Sequence, residues 1–205
     1  MPSDAQSAAE AYKAVLEGKI QKVVVEFAEG KLSRAQFQVL YERYNSQLAI
    51  ATHAIYSGNP DAIQIAQNGL PTLVVRDAYE GKAIGLLIYH HKSSTILETL
   101  GTFEVPIDKI HPTLSTFKML LEAQEFVEQR AEQLNSARWL LYTPGKATII
   151  VTLFHNEPSA QQMREIERLQ HDFEQANHLL LQKDEINARE LAYPFVAFIE
   201  KKLGK

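Results

Sequence analysis

Residues 137–181, ARWLLYTPGKATIIVTLFHNEPSAQQMREIERLQHDFEQANHLLL, constrain the fold more than any other stretch. They read as a tight β-hairpin, a capped turn and one long two-faced helix. Pro144-Gly145 suits the central positions of a type II turn, where glycine supplies a positive φ. On the second strand Ala147, Ile149, Val151 and Leu153 make a wholly apolar face, while Thr148, Ile150, Thr152 and Phe154 alternate on the other. One face is therefore expected to be deeply covered, and the other partly wet. Along the helix, Met163, Ile166, Leu169, Phe173, Ala176 and Leu180 step by three and four residues into one stripe that suits the apolar face of the sheet. Arg164, Glu167, His171, Glu174 and His178 form a second stripe nearly opposite, a surface left for a partner. The class this predicts is α+β, a small antiparallel sheet covered by long helices.

At 205 residues the chain can bury a core without disulfides or metals. It has no cysteine, which excludes disulfides, thiolate ligands and cysteine nucleophiles and permits a reducing compartment. The N-terminal MPSDAQSAAEAYKAV lacks a basic region followed by an apolar core, so no signal peptide is expected. The most apolar run, Ile84 to Tyr89, is far shorter than the roughly 20 residues that cross a bilayer. A soluble cytoplasmic protein with no membrane partner is the expectation. Net charge is −4 and no segment is basic, so nucleic acid is not an expected partner.

Residues 1–58 read as a helical N-terminal region. A helix over 4–17 is expected to end at Gly18, and a short one near 20–29 at Gly30, a residue type suited to the left-handed C′ position. Ser33 with Gln36 is a capping-box pattern, and Phe37, Leu40, Tyr41, Tyr44 and Leu48 line one side of the next helix. This helix–loop–helix resembles the short hairpins that bacterial proteins use for oligomerisation, although an ordinary packed pair is favoured. Residues 59–183 read as an α+β domain. Asn59-Pro60 starts a short helix that Asn68-Gly69 closes. Strands follow over 72–78, 82–91 and 95–105, the last an edge strand. A helix over about 112–135 leads to the hairpin. The predicted order is helix, three strands, helix, two strands, helix. Residues 184–205, with Leu191, Phe195, Phe198 and Ile199, read as a C-terminal helix that Pro194 kinks or restarts.

No catalytic residue set stands out and no cofactor is expected: P-loop, dinucleotide-binding, nucleophile-elbow, zinc-protease and kinase signatures are all missing from the sequence. Glu167, His171, Glu174 and His178 alternate carboxylate and imidazole along one ridge, the best metal candidate. An exposed ridge of i,i+4 pairs is more commonly plain surface, and no metal site is assigned. His90 and His91 are neighbours on a strand and so face opposite ways, one expected buried and the other wet. Glu122, Glu125, Glu128 and Glu132 make an acidic ridge on the helix 112–135, read as a solvated face in preference to a surface for a basic partner helix. Among the aromatics near the sheet (Tyr79, Tyr89, Phe103, Trp139, Tyr142 and Phe154), Tyr89, Trp139 and Tyr142 are the candidates to line a small-ligand pocket.

From residue 59 the element order, the hairpin WLLYTPGKATIIVTLF and the helix with its DFEQAN stretch resemble the type III secretion chaperone-like fold, including YbjN-type bacterial regulators. That resemblance implies dimerisation and the holding of partner segments, and it carries over no catalytic residue. A second resemblance, through IAQNGLPTLVVRDAYEGKAIG, is to the roadblock/profilin-like or GAF-like sandwich, which has two strands before the middle helix and three after it. The expected function is a non-enzymatic dimerising scaffold, a chaperone-like or regulatory protein-binding module acting as a homodimer. The alternatives are a small-ligand sensor, and a metal-assisted enzyme using the Glu/His ridge.

Overall fold

The structure, a computed structural model, describes residues 4–57, 71–183 and 185–194. The chain divides into two compact units, residues 1–80 and 81–205. The helix expected between Asn59 and Gly69, and the part of the C-terminal helix beyond residue 194, lie outside the described residues. Among the described residues no helix is long and apolar enough to cross a membrane.

The first unit is a helical hairpin, α1 (Asp4–Ala28) and α2 (Arg34–Ser57), with a short helix α3 (Thr72–Ala78). Gly30 takes φ 76° as expected. Lys31 N–H donates to the Glu26 carbonyl and Gly30 N–H to that of Phe27, so α1 ends in a Schellman motif. Ser33 and Gln36 cap α2 reciprocally, at 3.1 and 3.2 Å. Leu16, Val23, Leu32, Leu40, Tyr44 and Ala51 form the core of this unit.

Two expectations fail in this unit. Gly18 does not end a helix: α1 runs through it. A mid-helix glycine costs about 1 kcal/mol, too little to break a helix whose Leu16 and Val23 are both buried on either side of it. Residues 72–78 are a helix and not a strand. Here tertiary contacts override a β-branched run. Val75 packs against the hairpin core, Arg76 pairs with Glu26 at 3.0 Å, and the Arg76 carbonyl accepts from Gln36 Nε2.

The second unit is α+β, as predicted, with one five-stranded antiparallel sheet. Its elements are β1 (Lys82–His90), β2 (Thr95–Gly101), α4 (Ile107–Glu122), β3 (Arg130–Gln133), β4 (Arg138–Pro144), β5 (Thr148–His155) and α5 (Ala160–Ala176). The order across the sheet is β2-β1-β5-β4-β3, so β2 is an edge strand and β5 is central. Two strands precede α4 and three follow it, the reverse of the predicted count. One cause is the helical 72–78 segment; the other is an early stop in α4. Gln124 takes φ 58°, Gln124 N–H donates to Leu121 and Glu125 N–H to Leu120, a Schellman motif with glutamine in the glycine position. The supposed acidic ridge therefore disperses. Glu122 ends α4, Glu125 and Glu128 lie in the connecting loop, and Glu132 sits in β3, where it accepts from Thr113 Oγ1.

Both faces of the sheet are covered, and β5 is buried from Thr148 to Phe154. The apolar face (Ile149, Val151, Leu153) packs with Ile110, Leu114 and Phe117 of α4. The mixed face (Ile150, Phe154) packs with Ile166 and Phe173 of α5. The last helix thus takes the face expected to be partly wet. Beyond α5, Leu181 and Leu191 join that core whereas Leu179 stays exposed, and residues 188–190 make a single 3-10 turn. Asn177 holds this segment by exchanging two 2.7 Å hydrogen bonds with the backbone of Ala192.

Gly85 lies at a bulge in the β1–β5 pairing, where a Cβ would strike the carbonyl of Thr102, while a Cβ at Gly18 would meet open space. Gly85→Ala should lose about 1–3 kcal/mol in denaturant unfolding, and Gly18→Ala should gain up to about 1 kcal/mol.

Candidate functional site

The long helix α5 begins at a full capping box. The Ser159 hydroxyl accepts from Gln162 N–H, and the Gln162 side chain accepts from Ser159 N–H and donates to the Gly81 carbonyl. This fixes the helix against the start of β1. One face carries Ile166, Gln170 and Phe173 into the core. The opposite side carries the stripe singled out in the sequence.

Glu174, at the edge of that stripe, is half-buried and occupied by the tip of the β4–β5 hairpin. Its carboxylate accepts from the backbone N–H groups of Lys146 (2.9 Å), Ala147 (2.8 Å) and Thr148 (2.7 Å), and from the Thr148 hydroxyl (2.9 Å). Gln170 Nε2 adds a bond to Thr148 Oγ1 at 3.1 Å. The expected Pro144-Gly145 type II turn is not formed. Gly145 N–H instead donates to the Thr148 carbonyl, and the described glycines with positive φ are Gly30 and Gly101. A Cβ at 145 would overlap the Gln170 amide and the Glu174 carboxylate, so a larger residue there would displace both side chains from the hairpin tip.

The same tip is held from the far side by His91, whose N–H donates to Ala147 and whose Nε2 lies 2.8 Å from the Lys146 carbonyl. A carbonyl only accepts, so Nε2 carries the proton. His90 Nε2 donates likewise to Leu181, and its Nδ1 accepts from Ser93. Both histidines are buried, at 0% and 4% exposure, contrary to the expectation that one is wet. The reason is that β1 ends at His90 and His91 turns in under the hairpin tip. Burial pushes the His90 pKa below its ordinary 6.5, opposed by the hydrogen bond to Leu181.

Between the hairpin tip, the outer side of α5 and the loop after α4 runs an open groove of about 710 Å³, lined by Leu121, Phe126, Val127, Lys146, His171 and His178 among others. Past Phe126, Val127 and Pro144 it meets a smaller cavity of about 340 Å³ that includes Glu128 and Glu167. Of the predicted partner surface, Glu167, His171, Glu174 and His178 all line these cavities, and Arg164 lies outside them, exposed on the same helix. Among the described residues no group of three or more His, Asp or Glu side chains is placed to hold a metal. Phe126, 88% exposed, was not legible because the sequence placed it inside a helix. A glutamine at a left-handed C′ position leaves no signal that would have ended that helix.

The aromatics proposed for a pocket do not converge. Tyr142 is fully buried under α4, edge-on to Phe117 at 5.9 Å, and burial together with the Glu132 charge raises its phenol pKa to about 12. Trp139, three residues away on the same strand, points to the other face and packs against the α5 side. Tyr89 reaches a cavity, a cleft of about 310 Å³ between α4 and the β1–β2 hairpin, with Ile96, Ile107 and Met119 at its walls. Phe154 and Phe103 are core or core-flanking residues on opposite faces, and Tyr79 belongs to the first unit.

No protein-family model, curated protein or solved structure matches the chain.

Glu174→Ala leaves three backbone donors and a hydroxyl without their acceptor and should lose about 2–3 kcal/mol in denaturant unfolding, with Glu174→Gln in between. The lowered His90 pKa has a defined sign. Below pH 6.5 the unfolded ring protonates while the buried ring stays neutral, so acidification favours unfolding. The melting temperature should fall as pH drops from 7 towards 5, and a His90→Asn variant should show a shallower fall.

Proposed function

We propose that the chain is a non-enzymatic, dimerising scaffold, a regulatory module that holds protein surface along the outer side of α5. The observation that carries this reading is the groove itself. It is open along its length, it collects Glu167, His171, Glu174 and His178 on one wall, and an almost fully exposed phenylalanine stands on the other. Exposed aromatics of this kind serve as anchors in protein interfaces. The wall is rigid where it matters, because the hairpin tip is bonded to Glu174 on one side and to His91 on the other. A groove held this way can receive a partner without paying to order its own backbone.

A small-ligand sensor is the second reading. Two strands before α4 and three after it match the arrangement that the roadblock/profilin-like resemblance implies, and the Tyr89 cleft offers a small cavity of mixed polar and apolar lining. Hydrogen exchange on the full chain separates the two. Raising the protein concentration should slow exchange in 121–129 and 143–148 and leave 94–96 and 107–111 unchanged. Concentration-independent exchange, with protection of 107–111 only when a small aromatic compound is added, would replace the scaffold by the sensor.

A further inference from the structure

The turn between β1 and β2, residues 91–94, hangs on the buried ring of His90. Each nitrogen of that ring has one role. Nε2 lies 3.2 Å from the Leu181 carbonyl, which only accepts, so Nε2 carries the proton. Nδ1 is therefore an acceptor. It receives the Ser93 backbone N–H at 3.3 Å and the Ser93 hydroxyl at 2.7 Å, and that hydroxyl lies 2.6 Å from Thr95 Oγ1. The next residue, Ser94, takes φ 57°, a left-handed conformation that is unfavourable for a residue with a Cβ. Its hydroxyl accepts from Lys118 Nζ of α4 at 2.7 Å and forms part of the wall of the Tyr89 cleft.

A proton on Nδ1 acts unequally on these partners. The Ser93 hydroxyl can turn round, accepting from Nδ1–H and donating to Thr95. The Ser93 N–H cannot reverse, so it would face a second N–H and lose its acceptor. Leu181 keeps its bond, because Nε2 donates to it in both states. We infer that the β1–β2 turn is a proton-operated gate on the Tyr89 cleft. Protonated His90 releases Ser93, Ser94 relaxes out of its left-handed conformation, and the Ser94–Lys118 bond that ties the turn to α4 is lost. Glu122, 3.8 Å from Lys118, keeps a carboxylate beside the freed ammonium. Burial is the main opposition to a second proton on His90, and His91 and Lys92 add to it, while the Leu181 hydrogen bond and Glu174 of α5 favour it. The balance holds the ring's pKa below 6.5, so the gate is shut at neutral pH and opens in acid. It needs neither a ligand nor a dimer, so it stands or falls apart from the scaffold, and it gives the cleft of the second reading a signal that opens it.

The test is nuclear magnetic resonance of the full chain as pH is lowered from about 7 to about 5. It follows the His90 ring, the Met119 methyl in the cleft, and amide protection at Ser93 and Ser94 corrected for intrinsic exchange. Protection at 93 and 94 should fall about tenfold or more, with the midpoint of the ring titration. The methyl should shift at the same midpoint, while residues 150–153 of β5 keep their protection. In His90→Asn the side-chain carbonyl can take the Ser93 N–H at either pH, and all these responses should disappear. His111 also lines the cleft and is intact in that variant, so a methyl shift that survives there belongs to His111 and overturns the gate. Protection lost in the turn and in β5 together is plain acid unfolding and overturns it too. So does a His90 ring that titrates beneath a turn still protected. If His90→Asn does not fold, the coincidence of midpoints in the unaltered chain still decides.

Discussion

The carboxylate of Glu174 is the point on which the second unit is assembled. At the hairpin tip Lys146, Ala147 and Thr148 turn three N–H groups towards the helix, and such donors cannot be buried without an acceptor. Glu174 accepts all three together with the Thr148 hydroxyl. This single interaction sets the axial position of α5 over the sheet. It also leaves no space for a Cβ at 145 beside the Glu174 carboxylate, and brings the outer stripe of the helix up to the loop after α4. His91 closes the arrangement from the other side, with its imidazole on the Lys146 carbonyl.

Because β5 is central and buried on both faces, the middle of the sheet has no surface of its own to offer a ligand. Chemistry is pushed outward, to the seams between helix and loop. One seam is the smaller Tyr89 cleft beside α4, where Ile96, Ile107 and Met119 meet Ser94, His111 and Lys118. The other is the groove along α5, wider, with lysines, glutamates and histidines around the exposed Phe126. An open groove with an exposed aromatic suits protein surface better than it suits a small ligand.

Local signals were read well wherever they rest on a residue with one physical use. Gly30 caps α1, Ser33 and Gln36 cap α2, and the two-faced run 147–154 marks β5. Misreadings fall where a residue acts against its usual preference. Gln124 in a left-handed conformation ends α4, Gly18 continues α1, and the β-branched run Thr72–Val75 is helical because Val75 and Arg76 have partners in the hairpin core. The candidate site shared this fate. Its helix wall was visible in the spacing Glu167, His171, Glu174, His178, whereas its opposite wall was hidden inside a helix that stops early.

By itself the sequence determined the class, the antiparallel hairpin and the two stripes of the last helix, because alternation and helical period are properties of neighbouring residues. Which face of the sheet that helix would take was outside its reach. Both faces of β5 are apolar enough to bury; α5 packs on the Ile150 face and α4 on Ile149, Val151 and Leu153. The same tertiary choice converted Glu174 from a surface carboxylate into the acceptor for a hairpin tip. No local pattern encodes that role, since the donors lie 26–28 residues away along the chain.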